Sequence, residues 1–309
     1  MTSRSRDNTS AFTWLVTALA TGHLALVIST GRLRWEHVLV DVLLTGLAWA
    51  GPRTRRFLWG GFPLWLTGML LDSQSLWLFV RGTIHTGDLW ELERQLFPAP
   101  DGAAHWPEWW ATRFHPVLDL LCGFSYAAYL YEVFLVALFF FWKKDSRFQR
   151  LCWAFFAVNA LGVVTYLVYP AAPPWYILQY GPGPADLAAL PSPAGTARFD
   201  ALLGISYFAS FYSRNPNVFG AMPSLHAAYP VMVMLYVWNR GWAWRLATGA
   251  FALLVAFSAV YLTHHYVLDV LAGVVATLPA YLAVEAVFAL RPAPVAVPMP
   301  LTSEGDTRA

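Results

Sequence analysis

The sequence predicts an all-α fold, a polytopic membrane bundle of about eight transmembrane helices. Of the 309 residues, 58% are hydrophobic and only 12% are charged, whereas a soluble domain has about 25% charged residues. Aromatic residues make up 17% of the chain, and many of them lie at the ends of apolar runs, as in the interfacial belts of membrane proteins. This composition excludes a water-soluble enzyme and a disordered scaffold.

The charge balance argues against a nucleic-acid partner. Lys and Arg number 20 against 18 Asp and Glu, so the chain has no field of a single sign that would capture a polyanion. The two cysteines, Cys122 and Cys152, lie inside long apolar runs, which predicts neither a disulfide framework nor a cysteine metal site. We expect no cofactor.

Eight apolar runs approach the roughly 20 residues that a membrane-crossing helix needs. The run that contains Asp41 is short and is the least secure span. The first run lacks a small-residue cleavage site, which indicates a retained helix rather than a signal peptide. The runs cover residues 11–30, 38–50, 57–80, 115–142, 148–170, 223–238, 244–261 and 266–290.

The distribution of Lys and Arg predicts the orientation, because cytoplasmic loops carry an excess of both. With eight spans and a cytoplasmic N-terminus, the cytoplasmic set is Arg4, Arg6, Arg53, Arg55, Arg56, Lys143, Lys144, Arg147, Arg150, Arg240, Arg245, Arg291 and Arg308. The opposite set is smaller: Arg32, Arg34, Arg81, Arg94, Arg113, Arg198 and Arg214. This asymmetry predicts a multi-pass cell-membrane protein with both termini in the cytoplasm. If the second run only lies at the interface, the N-terminus moves to the other side and the later spans keep their orientation.

Two long segments, residues 81–114 and 171–222, face the extracytoplasmic side in this topology, and loops of that length are uncommon unless they are functional. Residues 88–96 have the pattern of a short amphipathic helix lying in the membrane interface. We therefore divide the chain into N-terminal transmembrane helices (1–80), a loop with an interfacial helix (81–114), a catalytic membrane core (115–290) and a disordered cytoplasmic tail (291–309).

The residues suited to chemistry lie at the extracytoplasmic ends of the later spans. Pro223 and Ser224 begin the sixth span, where the first free amides of a helix suit an anion, and His226 follows. His265 and Asp269 are four residues apart at the mouth of the eighth span, so they share a helix face and the carboxylate can orient the imidazole. The chain from His226 to His265 crosses the membrane once and returns, which places both histidines on one surface.

Structural roles are alternatives for the same residues. A single histidine in an apolar stretch is usually an interior residue, His264 could simply be interfacial, and Asp269 could pair with Arg214. Intramembrane carboxylates are costly and are candidates for function by default, but the remaining ones could equally be buried hydrogen-bonding groups and are left unassigned. They are Asp41, Asp72, Asp119, Glu132 and Glu285.

At these residues the sequence resembles the type 2 phosphatidic acid phosphatase (PAP2) superfamily. Its pattern has a basic first motif, Lys-x6-Arg-Pro, then Pro-Ser-Gly-His, then Ser-Arg-x5-His-x3-Asp. Pro223, Ser224 and His226 match the second motif, with Leu225 in place of the glycine. In the third motif, the matching residues are Ser258, His265 and Asp269.

The three cations of that pattern are absent from this sequence. Gly162 stands where the lysine would be, Tyr169 precedes Pro170 in place of the first arginine, and Ala259 replaces the second arginine. Three stretches of the sequence resemble the inositol phosphorylceramide synthase branch, whose members transfer a head group instead of hydrolysing a monoester. They are Met-Pro-Ser-Leu-His (222–226), Tyr-Leu-Thr-His-His-Tyr (261–266) and Pro-Ala-Ala-Pro-Pro-Trp (170–175). The resemblance implies membrane lipid substrates and a lipid or sugar hydroxyl, or water, as acceptor. Substitute phosphate-binding groups would be Arg214, His264, Tyr169 and the amides around Ser224.

The resemblance implies phosphoryl or phosphodiester transfer through a phosphohistidine. His265, oriented by Asp269, would attack phosphorus, and His226 would act first as acid and then as base. We expect no catalytic metal, because the sequence offers no carboxylate cluster suited to one. A lipid phosphate or prenyl diphosphate phosphatase is the alternative within the enzyme class, and a non-catalytic transporter or assembly partner is the alternative outside it. The sequence makes no prediction of protein partners.

Overall fold

The computed structural model describes residues 3–290, with side chains from residue 11 onward. This part consists of helices joined by loops and contains no strand, only isolated β-bridges. The predicted all-α fold is therefore confirmed. The predicted disordered tail, 291–309, lies outside the described residues. The helices are α1 Ser3–Ser29, α2 Trp35–Ala50, α3 Pro52–Asp72, α4 Gly87–Leu96, α5 Trp106–Thr112, α6 Pro116–Trp142, α7 Arg147–Val168, α8 Pro174–Tyr180, α9 Thr196–Leu203, α10 Tyr207–Tyr212, α11 Leu225–Val237, α12 Trp242–Tyr261 and α13 Val267–Ala289.

Five of these helices are long and apolar enough to cross a membrane: α1 from Ala11 onward, α6, α7, α12 and α13. The chain is therefore a multi-pass membrane protein. The count of eight spans stays a prediction. Helices α2, α3 and α11 coincide with the other three predicted runs, but α11 has 13 residues and is about 20 Å long, against a hydrocarbon core of about 30 Å.

Helix α11 lies at the centre of the bundle and does not face lipid. It contacts α6, α7, α12 and α13. Ala228, Met232, Val233 and Val237 along its length are completely buried. Four surrounding helices thus replace lipid as its environment, and they hold its N-terminal end, which carries His226, at a fixed position in the bundle.

Helix α3 ends at Asp72, earlier than the predicted span, which reached residue 80. Ser73 Oγ donates a hydrogen bond to the Leu70 carbonyl (3.1 Å), and Gln74 Nε2 donates one to the Leu71 carbonyl (3.2 Å). Such side-chain bonds to the backbone compete with continuation of the helix. Two 3₁₀ turns, Ser73–Leu76 and Leu78–Val80, complete the segment.

The first three helices form a layer of their own that packs on the core through α3 and α7. Asp41 of α2 is 1% exposed and lies between His23 of α1, at 2.6 Å, and Trp65 Nε1 of α3, at 3.2 Å. Asp72 accepts a hydrogen bond from Arg34 Nη2 at 2.5 Å. Both carboxylates are therefore hydrogen-bonding groups that link helices within the layer.

The core depends on a close approach between α13 and the residue before α11. A Cβ atom added to Gly273 would lie 2.1 Å from the carbonyl oxygen of Ser224, so no larger residue fits there. One turn earlier on α13, the Asp269 carbonyl accepts a hydrogen bond from the Ser224 amide (2.9 Å). These contacts fix the start of α11 against the first turns of α13.

We expect Gly273→Ala to lower the thermal midpoint of the purified protein by roughly 3–10 °C, because the new methyl group must displace backbone and not a flexible side chain. Helix propensity alone would predict the opposite change, a higher thermal midpoint, because it favours Ala over Gly by about 1 kcal/mol. Gly46→Ala on α2 is the matched control, since its Cβ would meet nothing within 4 Å. Equal thermal midpoints for the two variants would contradict the role of Gly273.

Candidate active site

Three chain segments meet at one end of the bundle. Ala171, after α7, is bridged to His85 on one side and to Gly220 on the other. The amide of Trp175 donates to the carbonyl of Thr263 (3.0 Å) in the loop between α12 and α13. The end of the fifth predicted span, the segment before α11 and the histidine-containing loop therefore lie together, as the span arithmetic of the sequence predicts.

His226, His265 and Asp269 form a line at this end. Nδ1 of His226 lies 3.1 Å from Nε2 of His265, and Nδ1 of His265 lies 3.5 Å from Oδ2 of Asp269. The same Oδ2 accepts a hydrogen bond from the Tyr266 amide at 2.9 Å. Asp269 is completely buried and His265 is 5% exposed, so the line is shielded from bulk solvent.

The acceptor character of the carboxylate determines how protons are arranged in this line. An ionised Asp269 can only accept, so the Nδ1 of His265 is assigned the ring hydrogen and its Nε2 keeps the lone pair. Nδ1 of His226 is then the donor in the contact between the rings. The 3.5 Å gap is longer than a hydrogen bond, and catalytic contacts of this kind tighten when substrate binds.

Aromatic rings hold the planes of the histidines. Tyr126 of α6 stacks on His226 with a centroid distance of 4.2 Å and an interplanar angle of 9°. His264 lies between Tyr126, at 5.2 Å, and Tyr212, at 4.5 Å. Burial, with a smaller contribution from the charge of His265, lowers the pKa of His264 to about 3. His264 is therefore neutral, and its Nε2 donates to the Pro193 carbonyl at 3.2 Å.

A cavity of about 70 Å³ opens onto the histidines, with room for several waters or one phosphate group. Asn217 on its wall is 4% exposed. Its Oδ1 accepts from the Phe219 amide at 3.2 Å, whereas its Nδ2 has no hydrogen-bond partner. Asn217 in the cavity wall thus has an unused donor. The lining residues of the cavity are Pro173, Trp175, Ser192, Tyr212, Asn215, Asn217, Val218, Gly220, Ala221, His226, His264 and His265.

The other residues predicted to bind substrate have different partners. Ser224 caps α11, its Oγ accepting from the Ala227 amide at 3.4 Å. Arg214 forms an ion pair with Glu36 of α2, and the alternative pair of Arg214 with Asp269 is absent from the described part of the chain. Tyr169 stacks on His85 at 3.7 Å. None of the three is among the cavity residues.

The packing at positions 162 and 259 leaves no room for the cations of the family that the sequence resembles. A Cβ on Gly162 would lie 3.0 Å from Leu225 Cδ2, so the leucine occupies the space into which a lysine at position 162 would extend. Ala259 is completely buried in an apolar cluster with Tyr126, where an arginine would be both too large and unpaired. Hydrophobic contacts thus occupy two positions at which the pattern of that family has cations.

The sequence model of the PAP2 superfamily matches residues 88–283, a range that contains the whole histidine line. The chain belongs to the PAP2 superfamily. This PAP2 protein is similar to the phosphoinositol dihydroceramide synthase of Bacteroides thetaiotaomicron, with 34% identity over 269 residues that cover 85% of this chain and 88% of the relative. It is also similar to the inositol phosphorylceramide synthase catalytic subunit of Schizosaccharomyces pombe (34% identity) and the inositol phosphorylceramide synthase of Candida albicans (32%).

The fungal matches cover 52% and 53% of this PAP2 chain but only 38% and 36% of the relatives' own lengths. No solved structure matches the chain at a significant level. The predicted superfamily and its inositol phosphorylceramide synthase-like branch are confirmed. The chain is accordingly a membrane enzyme, a lipid phosphotransferase of the PAP2 superfamily.

Sequence reasoning missed three side chains that complete the site. Tyr126 and Asn217 bear on the histidines and the cavity, but neither belongs to a motif with fixed spacing. Glu93 of α4 is completely buried and accepts hydrogen bonds from the Val267 and Leu268 amides at 2.9 and 3.0 Å. Its one signal in the sequence is an acidic residue one turn after Leu89 on the apolar face of an amphipathic helix.

Proposed function

We propose that the enzyme transfers a phosphoinositol head group from a phosphoinositide lipid to the hydroxyl of a ceramide-type lipid through a phosphohistidine. The observation that carries the chemistry is the 3.1 Å approach of the two imidazoles, with Asp269 behind His265. The choice of head group and acceptor rests on similarity to the Bacteroides protein, 88% of which the chain covers. The proposal places the site on the extracytoplasmic face and both termini in the cytoplasm, in accord with the Lys and Arg distribution.

In the first step, Nε2 of His265 attacks phosphorus, and the bond from phosphorus to the diacylglycerol oxygen breaks as the P–N bond forms. His226 takes up a proton as the phosphodiester binds, so it enters this step as an imidazolium whose charge pairs with the phosphodiester. It then gives its Nδ1 proton to the departing oxygen. Asp269 stabilises the positive charge that develops on His265. Substrate must separate the two rings to do this, because in the free site the attacking lone pair faces Nδ1 of His226.

In the second step, the neutral Nδ1 of His226 removes a proton from the hydroxyl of the acceptor lipid. The acceptor oxygen attacks phosphorus, the P–N bond breaks, and His265 recovers its lone pair. His226 is again protonated, so the cycle closes without a net proton. The small cavity accommodates the phosphate, and the inositol ring and acyl chains lie beyond it.

The unpartnered Nδ2 of Asn217 fits the role of phosphate donor better than the residues that the sequence favoured. Ser224, Arg214 and Tyr169 are occupied by contacts outside the cavity, and His264 is a neutral wall of it. In a site without lysine or arginine among its lining residues, one amide donor and the imidazolium of His226 offset the phosphodiester charge.

We expect His226→Ala and His265→Ala each to reduce transfer by about 10³-fold or more, without loss of folded protein from the membrane. With substrate labelled at phosphorus, the wild-type chain should carry an acid-labile, alkali-stable label that is absent from His265→Ala. Exposed His115 supplies the control variant, His115→Ala, which should react normally. Full activity in His265→Ala would exclude the phosphohistidine.

The acceptor is tested by incubating purified enzyme with labelled phosphatidylinositol and ceramide in the presence of a chelator, with a prenyl diphosphate assayed in parallel. We expect a new inositol-containing phospholipid and an equal amount of diacylglycerol. Release of free phosphate or inositol phosphate without a new lipid would overturn the transferase proposal and identify a lipid phosphatase.

We expect Asn217→Ala to lower kcat/KM by about 10- to 100-fold, the cost of losing a hydrogen bond to a charged group. Asn217→Asp keeps the shape and the Oδ1 acceptor but sets an anion against the phosphate, so its loss should be larger. Asn239→Ala, at an exposed position beyond the other end of α11, should match the wild type. Wild-type kcat/KM in Asn217→Asp would remove Asn217 from the phosphate site.

A further inference from the structure

The helix predicted to lie in the membrane interface is anchored to the catalytic core. Leu89 and Glu93 of α4 are one turn apart and are 2% and 0% exposed. Leu89 packs in a cluster with Ala171 and Tyr266, beside the histidine loop. Glu93 then reaches the N-terminus of α13, where its Oε1 accepts from the Val267 amide and its Oε2 from the Leu268 amide.

Carboxylates accept from three of the four free amides at the start of α13. The Tyr266 amide donates to Asp269, and the next two donate to Glu93. The free amides of a helix N-terminus normally bind water, a cap or an anion, so protein carboxylates here occupy most of the places that a phosphate would use. The terminus is held from inside the helix by Asp269 and from outside by Glu93.

The position of this first turn determines the contact between Asp269 and His265. Oδ2 of Asp269 is shared between the Tyr266 amide, at 2.9 Å, and Nδ1 of His265, at 3.5 Å. The distance to His265 is already long for a hydrogen bond. Oδ1 of Asp269 has no hydrogen-bond partner and gives no alternative support. A small rotation of the turn would therefore separate the carboxylate from the imidazole.

We propose that Glu93 is a positioning residue for the transfer reaction, which holds the first turn of α13 so that Asp269 stays in line with His265. The proposal rests on the proposed function for its catalytic readout. Glu93 does not touch the substrate cavity, and its effect passes through two backbone amides and Asp269. It makes the interfacial helix part of the catalytic apparatus.

The groups around Glu93 give it a measurable signature. Burial raises the pKa of Glu93 to about 7, more than its two amide donors lower it, and the charge of Asp269 adds to the increase. The other titratable groups at this contact are Tyr266, His105 in ring contact with Tyr266 at 5.1 Å, and Glu108, whose amide donates to His105. Within the described residues, no lysine or arginine forms an ion pair with Glu93. The ionised carboxylate, which accepts from both amides, is therefore lost as the pH falls through about 7.

The test compares Glu93→Gln with Glu91→Gln on the same helix, whose carboxylate is exposed and pairs with Arg94. We expect Glu93→Gln to lower kcat about tenfold with KM within twofold of the wild type, because one amide of α13 then faces another N–H. The acidic limb of the kcat profile near pH 7 should disappear in this variant and persist in Glu91→Gln. Wild-type kcat in Glu93→Gln, or a reduced kcat that keeps the limb, would overturn the positioning role.

Val267→Pro breaks the same contact from the other partner, and it covers the case in which Glu93→Gln does not fold. Proline suits the first helical position, where it removes only the N–H that donates to Glu93, and the extended Tyr266 (ψ 163°) is compatible with a following proline. The double variant Val267→Pro/Glu93→Gln should lose little more than either single variant, since both act on one interaction. Additive losses would contradict the proposal.

Hydrogen exchange separates failure of this inference from failure of the proposed function. Amides 267 and 268 should exchange at least about tenfold faster in Glu93→Gln than in the wild type or Glu91→Gln. If the wild type forms no phosphoinositol lipid, the proposed function fails. Unchanged exchange of amides 267 and 268 in Glu93→Gln would overturn the role of Glu93 in holding the first turn of α13.

Discussion

The catalytic end of the molecule depends on the contact between the backbone of Ser224 and the face of α13 at Gly273. His226 belongs to α11 and His265 to the loop before α13, and neither segment could place its own histidine without a reference to the other. The missing side chain at position 273 and the Ser224–Asp269 backbone hydrogen bond supply that reference. Because α11 is enclosed by four helices, this local contact is rigid, and the 3.1 Å between the imidazoles follows from it. This geometry places both imidazoles close enough to flank one phosphate group once substrate separates the rings.

The site handles negative charge with few fixed cations. Arg214, which the sequence favoured as a phosphate ligand, pairs with Glu36 outside the cavity, and the lining residues include no lysine or arginine. A neutral cavity binds a phosphodiester less strongly than a cluster of guanidinium groups would, but it also releases the product more easily. A transferase must hold a phosphorylated group long enough for exchange and then part with a product of the same charge. Positive charge that appears on a histidine only during the cycle suits that task better than permanent charge.

Sequence reasoning succeeded where periodicity and chain length determine position. The long apolar runs became helices, and the spacing of four between His265 and Asp269 placed both at the mouth of α13. The length of chain from His226 to His265, one helix out and one helix back, brought both histidines to the same end. Sequence reasoning failed where position depends on contacts between segments far apart in the chain. Glu93 is 174 residues from its first amide partner, and nothing local distinguishes it from Glu91. Asn217 shows its unsatisfied amide only once the loop is folded. The early end of α3 came from local polar side chains, Ser73 and Gln74, whose bonds to the backbone outweighed the apolar pattern.

The fit between Gly162 and Leu225 has an evolutionary consequence. A lysine at position 162 would collide with the leucine and bury its charge, whereas a glycine at position 225 alone would leave an empty space beside Gly162. Either change is unfavourable on its own, so the two positions are strongly epistatic. Exchange of only one of the two residues is therefore expected to be more harmful than exchange of both. A lysine could be introduced at position 162 only together with a smaller residue at position 225.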